Sequence, residues 1–107
     1  MPEQFSQIIR LPYDVTEEVL RKFYYTEFEI DLHGLIYLDA LSAVQRIVKF
    51  SPRHIRAIYV IHGYHGGTEL KKMITKQNLK NSRIKHVNPT FNKGQSVIVF
   101  KNIEELK

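Results

Sequence analysis

The sequence predicts an α/β fold: a short N-terminal helix followed by a βαβαββ unit whose four strands form one mixed sheet with two helices. Three observations carry this. Two strand-like segments are each followed by a glycine-containing turn and then by helically spaced apolar residues, the order a β-helix-β crossover produces. Two further strand-like segments are joined by a short link containing Pro, Asn and Gly, which suits an antiparallel hairpin. The third is size: 107 residues hold one modest core, and no repeat or linker divides them. Residues 1–26 read as an extension carrying the short helix, and residues 27–107 as the α/β domain.

In chain order, Val15, Val19, Leu20, Phe23 and Tyr24 recur at helical spacing, so a helix is expected over 14–24, capped either by Asp14 with Glu17 or by Thr16. In TEFEIDLHG, residues 26–34, Phe28, Ile30 and Leu32 alternate with Glu27, Glu29, Asp31 and His33, as in a strand with one buried face. Tyr37, Ala40, Leu41, Val44, Ile47 and Val48 then draw one apolar stripe on a helix that Ser51-Pro52 ends. IRAIYVI, residues 55–61, is a nearly continuous apolar run with β-branched members, as a strand covered on both faces requires. The Gly-rich turn HGYHGG leads into TELKKMITKQNLK, read as one helix capped by Thr68 with Leu70, Met73 and Ile74 on its apolar side. Strands around RIKHVN and SVIVFKN, separated by PTFNKGQ, complete the unit.

Sixteen Lys+Arg against 11 Asp+Glu leave a net charge of +5, which favours an anionic partner. Zero Cys excludes a disulfide framework, a thiolate zinc site, an iron–sulfur cluster and a Cys nucleophile, leaving five His and the acids as reactive groups. No apolar run reaches the roughly 18–20 residues of a membrane span, and the opening MPEQFSQIIR lacks a signal pattern. A cytoplasmic chain with no membrane partner, monomeric or weakly dimeric, is therefore expected.

Two constellations carry chemistry. Burying Ile30 and Leu32 puts Glu29, Asp31 and His33 together on the opposite face of their strand, where residues two apart lie about 6–7 Å from each other at Cα. Asp31 can then orient His33, or the trio can share a divalent cation; a plain solvated strand face has the same pattern. In HGYHGG, Gly63, Gly66 and Gly67 permit close backbone approach beside a helix start, while His62 and His65 add titratable donors. The turn has neither the Walker ending nor a GxGxxG pattern. Parallel topology brings both loops to the same end of the sheet.

DLHG at 31–34, an amphipathic helix, then a strand ending in HGYHG before another helix together resemble the Smr (small MutS-related) domain, with its LDxH and HGxG motifs. The resemblance runs from about Phe28 to Lys101. It implies a fold like the C-terminal domain of translation initiation factor 3, and nucleic-acid association that includes nicking or endonuclease activity. Asp31 and His33 match LDxH, with Ile30 in place of the usual Leu; His62 and Gly63 match the start of HGxG. His65 occupies the place of the last Gly, and Gly66 takes it after a one-residue insertion, whereupon Leu70 and Lys71 match the family's Leu-Arg. Of the glycines that precede the family's final strand, only Gly94 is present.

On this reading His33 is a general base oriented by Asp31, His62 or His65 is the acid or phosphate donor, and the Gly63 and Gly66 amides cradle phosphate. Tyr64 in the same turn is a candidate to stack on a base if the chain binds nucleic acid. A metal-dependent version places Mg²⁺ or Mn²⁺ on Glu29, Asp31 and His33. The other function class is a non-catalytic RNA-, DNA- or ribosome-binding module. It rests on the basic second half: Lys71, Lys72, Lys76, Lys80, Arg83, Lys85, Lys93 and Lys101, with Lys72, Lys76 and Lys80 spaced as one helical ridge.

Overall fold

The computed structural model describes residues 8–63, 68–102 and 104–106. In order these form β1 (Arg10–Leu11), α1 (Glu17–Lys22), β2 (Glu27–Asp31), α2 (Tyr37–Phe50), β3 (Ala57–Ile61), α3 (Thr68–Met73), α4 (Lys76–Leu79), β4 (Ile84–Pro89) and β5 (Gln95–Phe100), then a 3-10 turn over Glu104–Leu106. The α/β class holds, with one mixed sheet in the order β1-β2-β3-β5-β4. β1, β2 and β3 run parallel, while β5 is antiparallel to both β3 and β4.

Strand alternation sorts the two faces. Phe28, Ile30, Leu32, Ile58, Val60, Ile84 and Ile98 are fully buried and share one core with Leu20, Val44, Ile47, Leu70, Met73 and Leu79 of the four helices. Each such side chain contributes roughly 1.5–3 kcal/mol through removal from water. On the other face Glu29, Tyr59, Val97 and Asn88 lie side by side across four strands, half-buried or exposed. The expectation that β3 is covered on both faces is therefore corrected: Ile58 and Val60 meet the helices, whereas Tyr59 and Ile61 lie on the open face.

Two further expectations change. The sheet has five strands, because Ile9–Leu11 adds to β2: Arg10 pairs with Glu29, and the Glu29 N–H donates to the Ile9 carbonyl at 2.9 Å. Residues before 27 also enter the common core through Val15 and Leu20, and Arg46 of α2 donates to the carbonyls of Val15 (2.6 Å) and Tyr13 (2.8 Å). The single helix expected over 68–80 is two. Thr75 leaves helical geometry and caps α4 by accepting from the Asn78 N–H at 3.1 Å, while the Asn78 side chain donates to the Met73 carbonyl at 3.0 Å. Lys80 ends α4 in the left-handed region at φ 51°, so Lys72, Lys76 and Lys80 do not share one continuous ridge. In α1 the cap is Thr16, which accepts from the Val19 N–H.

Candidate functional site

Three chain segments meet at one end of the sheet: the end of β2 with Asp31 and His33, the end of β3 with His62 and Gly63, and the β4–β5 hairpin with Gly94. The contact is close. A Cβ on Gly94 would lie 3.3 Å from the Gly63 carbonyl carbon, and a Cβ on Gly63 would lie 3.5 Å from the His33 Cβ. The Gly94 carbonyl accepts from both the His62 N–H (2.8 Å) and the Gly63 N–H (3.1 Å). Small residues are thus needed where the hairpin backbone lies against the β3 end.

Asp31 and His33 form the chemically poised pair. Asp31 Oδ1 lies 2.6 Å from His33 Nδ1 and accepts the His33 backbone N–H at 3.0 Å. A carboxylate only accepts, so Nδ1 carries the proton and Nε2 of the neutral ring is left with its lone pair. The His33 side chain is 71% exposed, which presents Nε2 to a ligand from solution. Burial on its own would push the Asp31 carboxyl up. The hydrogen bonds from the His33 ring and backbone, with the charges of His33 and Arg10, outweigh it and hold the carboxyl below its ordinary value.

Arg10 belongs to this pair, although sequence reasoning passed over it. Its Nε donates to Glu29 Oε1 at 2.9 Å, its Nη1 lies 3.7 Å from Asp31 Oδ2, and the side chain is still 57% exposed. The only available signal was the short Ile8-Ile9-Arg10-Leu11 run before Pro12, too brief to stand out as a strand. Gln95 Nε2 donates to Glu29 Oε2 at 2.8 Å. Both Glu29 oxygens are engaged, and among the described residues no group of three His, Asp or Glu side chains is arranged to hold a metal ion. Glu29 therefore leaves the ligand trio expected with Asp31 and His33.

His62, expected as the acid or phosphate donor, is turned away from the Asp31–His33 pair. It shares the strand parity of Ile58 and Val60, so its ring enters the core at 2% exposure, on the opposite face from Asp31. Nε2 lies 3.1 Å from the Ser96 hydroxyl and Nδ1 lies 3.3 Å from the Gly63 carbonyl, an arrangement that uses both nitrogens of the neutral ring. Burial lowers its pKa, the Gly63 carbonyl partly opposes this, and the charge of Lys71 lowers it further. A histidine depressed in the folded state contributes its full stability above its ordinary value of about 6.5 and loses it as pH falls below. We expect the unfolding temperature to drop between about pH 7 and pH 5, and His62→Gln to flatten that part of the curve. An equally steep decline in His62→Gln would place the proton uptake elsewhere.

The expectation for Gly63 and Gly94 is corrected in the same way. The Gly63 N–H goes to Gly94, and the Gly94 N–H goes to Asn92 Oδ1 at 2.9 Å, so these residues supply close packing rather than free donors for phosphate. Tyr64, His65, Gly66 and Gly67 lie outside the described residues. Lys71, Lys72 and Lys76 are exposed on α3 and α4, and Lys71 is near enough for its charge to act on His62.

A groove of about 800 Å³ lies elsewhere on the open face, with Glu27, Arg56, Ala57, Tyr59, Val99 and Lys101 among its walls. It sits at the far end of the strands from Asp31 and Gly94. Its rim mixes Arg53, Arg56, Lys85 and Lys101 with Glu27, Glu104 and Glu105, and Lys85 is paired with Glu105 at 3.1 Å. Three carboxylates among four cations leave the rim with little net charge. No helix among the described residues is long and apolar enough to cross a membrane. In comparisons with known proteins, no family model, no curated protein and no solved structure matches the chain.

Proposed function

We propose that the chain is an Smr-like, nucleic-acid-binding domain of the cytoplasm that cleaves a phosphodiester bond of DNA or RNA. The observation that carries the reading is the Asp31–His33 pair: a carboxylate 2.6 Å from one ring nitrogen, with the other nitrogen exposed at the strand end where the β3 and hairpin loops converge. His33 Nε2 takes the proton from an attacking water or ribose hydroxyl as its oxygen bonds to phosphorus. The P–O bond to the leaving oxygen breaks, and that oxygen gains a proton from solvent. Asp31 fixes the ring and stabilises the imidazolium that forms. Arg10, beside Asp31, offsets the repulsion between the acidic strand face and a phosphate chain.

A second reading, a non-catalytic nucleic-acid or ribosome-binding module, draws on a separate observation. The exposed Lys71, Lys72, Lys76 and Lys93 stand outside the Asp31–His33 pair and could hold a polyanion without any chemistry. Supercoiled DNA and structured RNA, each incubated with the chain with and without Mg²⁺ or Mn²⁺, distinguish the two. Product that disappears in both Asp31→Asn and His33→Ala supports cleavage. Product formation unchanged in the two variants removes the assigned roles, and salt-sensitive binding with no product under any condition supports the binding module.

A further inference from the structure

The β4–β5 hairpin carries an aromatic side chain that the chemistry above does not use. Phe91 is exposed to its full extent, at 109% of the reference area. The hairpin holding it is not slack. The Thr90 N–H donates to the Gln95 carbonyl (3.3 Å), the Gln95 N–H to the Asn92 carbonyl (3.0 Å), the Asn92 N–H to Thr90 Oγ1 (3.2 Å) and the Gly94 N–H to Asn92 Oδ1 (2.9 Å). Thr90 Oγ1 also donates to Gln95 Oε1 at 2.8 Å, and the amide of Gln95 reaches across to Glu29 at 2.8 Å, which in turn holds Arg10 beside Asp31. Phe91 is therefore held in water by a hairpin fixed to the candidate site both through Gly94 against Gly63 and through Gln95 to Glu29. β5 is two strand spacings from β2, about 10 Å, so the hairpin stands a short reach from His33.

The local charge points to the ligand. The hairpin from Pro89 to Ser96 contains no Asp or Glu and carries exposed Lys93 two residues from Phe91, and exposed Lys71 is close enough for its charge to act on His62, whose N–H donates to the Gly94 carbonyl. A planar apolar ring in a cationic stretch suits a ligand that is anionic along its length and presents flat π faces. Paired bases in a duplex hide those faces, whereas unpaired bases offer them. A platform already held in place also avoids the ordering cost that a flexible loop would meet on binding.

We propose that Phe91 is a stacking platform for an unpaired nucleobase of a nucleotide neighbouring the one held at Asp31 and His33, so that the ligand is a single-stranded or locally unpaired polynucleotide. This rests on the nucleic-acid reading above, but not on catalysis. The chain contains no Trp, so Phe91→Trp introduces a single indole whose emission reports on the platform. Titration with oligothymidylate or oligouridylate of about 10 nucleotides should quench it, and a fully paired duplex of equal length should not. Phe91→Ala should weaken single-strand binding by about 5- to 100-fold, with Phe91→Trp retaining it. The unfolding temperature of Phe91→Ala should equal that of wild type, because the ring packs against nothing.

Quenching by the duplex equal to that by the single strand, unchanged single-strand affinity in Phe91→Ala, or quenching by an apolar peptide and by no polynucleotide would each overturn the assignment. A chain that cleaves nothing yet shows the single-strand quench and the Phe91→Ala loss keeps the platform and loses the catalytic reading. Cleavage that needs His33, with single-strand binding indifferent to Phe91, does the reverse.

Discussion

If the proposed cleavage holds, His33→Ala should lower its rate by about 10²–10⁴-fold, the usual contribution of a positioned general base, while nucleic-acid binding should change little. The size follows from geometry. His33 is the exposed member of a pair whose other member is partly buried, and a methyl group in place of its ring removes the imidazole nitrogen assigned to take the proton. Asp31→Asn has a different signature. Its amide oxygen can still accept the Nδ1 proton, so the ring keeps its orientation, but the charge that stabilises the imidazolium is gone. Single-turnover rates should therefore fall in both variants while dissociation constants stay close to wild type. Asp31 is held below the ordinary carboxylate value by His33 and Arg10 against the opposing effect of burial, so it is ionised throughout the neutral range. Rate lost on mild acidification is then not due to Asp31 taking up a proton. Cleavage by His33→Ala within a few-fold of wild type would take the base role away from this residue.

β2 was the most legible part of the site. Phe28, Ile30 and Leu32 alternate so regularly with Glu29, Asp31 and His33 that the period alone places acid and imidazole on one face, and the structure does so. The same rule was available for β3 but was masked by composition. Every residue from Ala57 to Ile61 is apolar or aromatic, so nothing in the sequence shows which alternate positions meet the helices. His62 follows that parity into the core, where Ser96, thirty-four positions later, meets its ring; no local pattern announces such a pairing. The α3–α4 break is written in Ile74-Thr75 and Asn78, but Leu70, Met73 and Ile74 at helical spacing read as one continuous helix, because a Thr inside a helix and a Thr capping one look alike until the next turn closes. β1 was hardest to see. Two residues of pairing carry no period, yet they bring Arg10 to Asp31.

Gly63 is where backbone conformation and the site depend on each other most directly, and substitutions there should separate the two. Gly63 has φ +89°, outside the range that side chains with a Cβ favour, so any replacement adds about 1–3 kcal/mol of backbone strain. For a domain of this size that corresponds to a fall in unfolding temperature of roughly 4–8 °C per kcal/mol. Gly63→Ala should show this loss and little else, because the new Cβ would stand 3.5 Å from the His33 Cβ, an ordinary contact. Gly63→Val adds γ-methyl groups on that same side. They press toward His33 and shift its ring from Asp31, and a displacement on the order of 1 Å in a catalytic group costs about 10²-fold in rate. The pair of variants should thus lose stability together and part company in activity, Ala close to wild type and Val about 10²-fold below it. Thermal unfolding and single-turnover cleavage on the same preparations measure both. If Ala and Val lose rate equally, the glycine matters for the path of the backbone alone, and its closeness to His33 does not govern the position of the base.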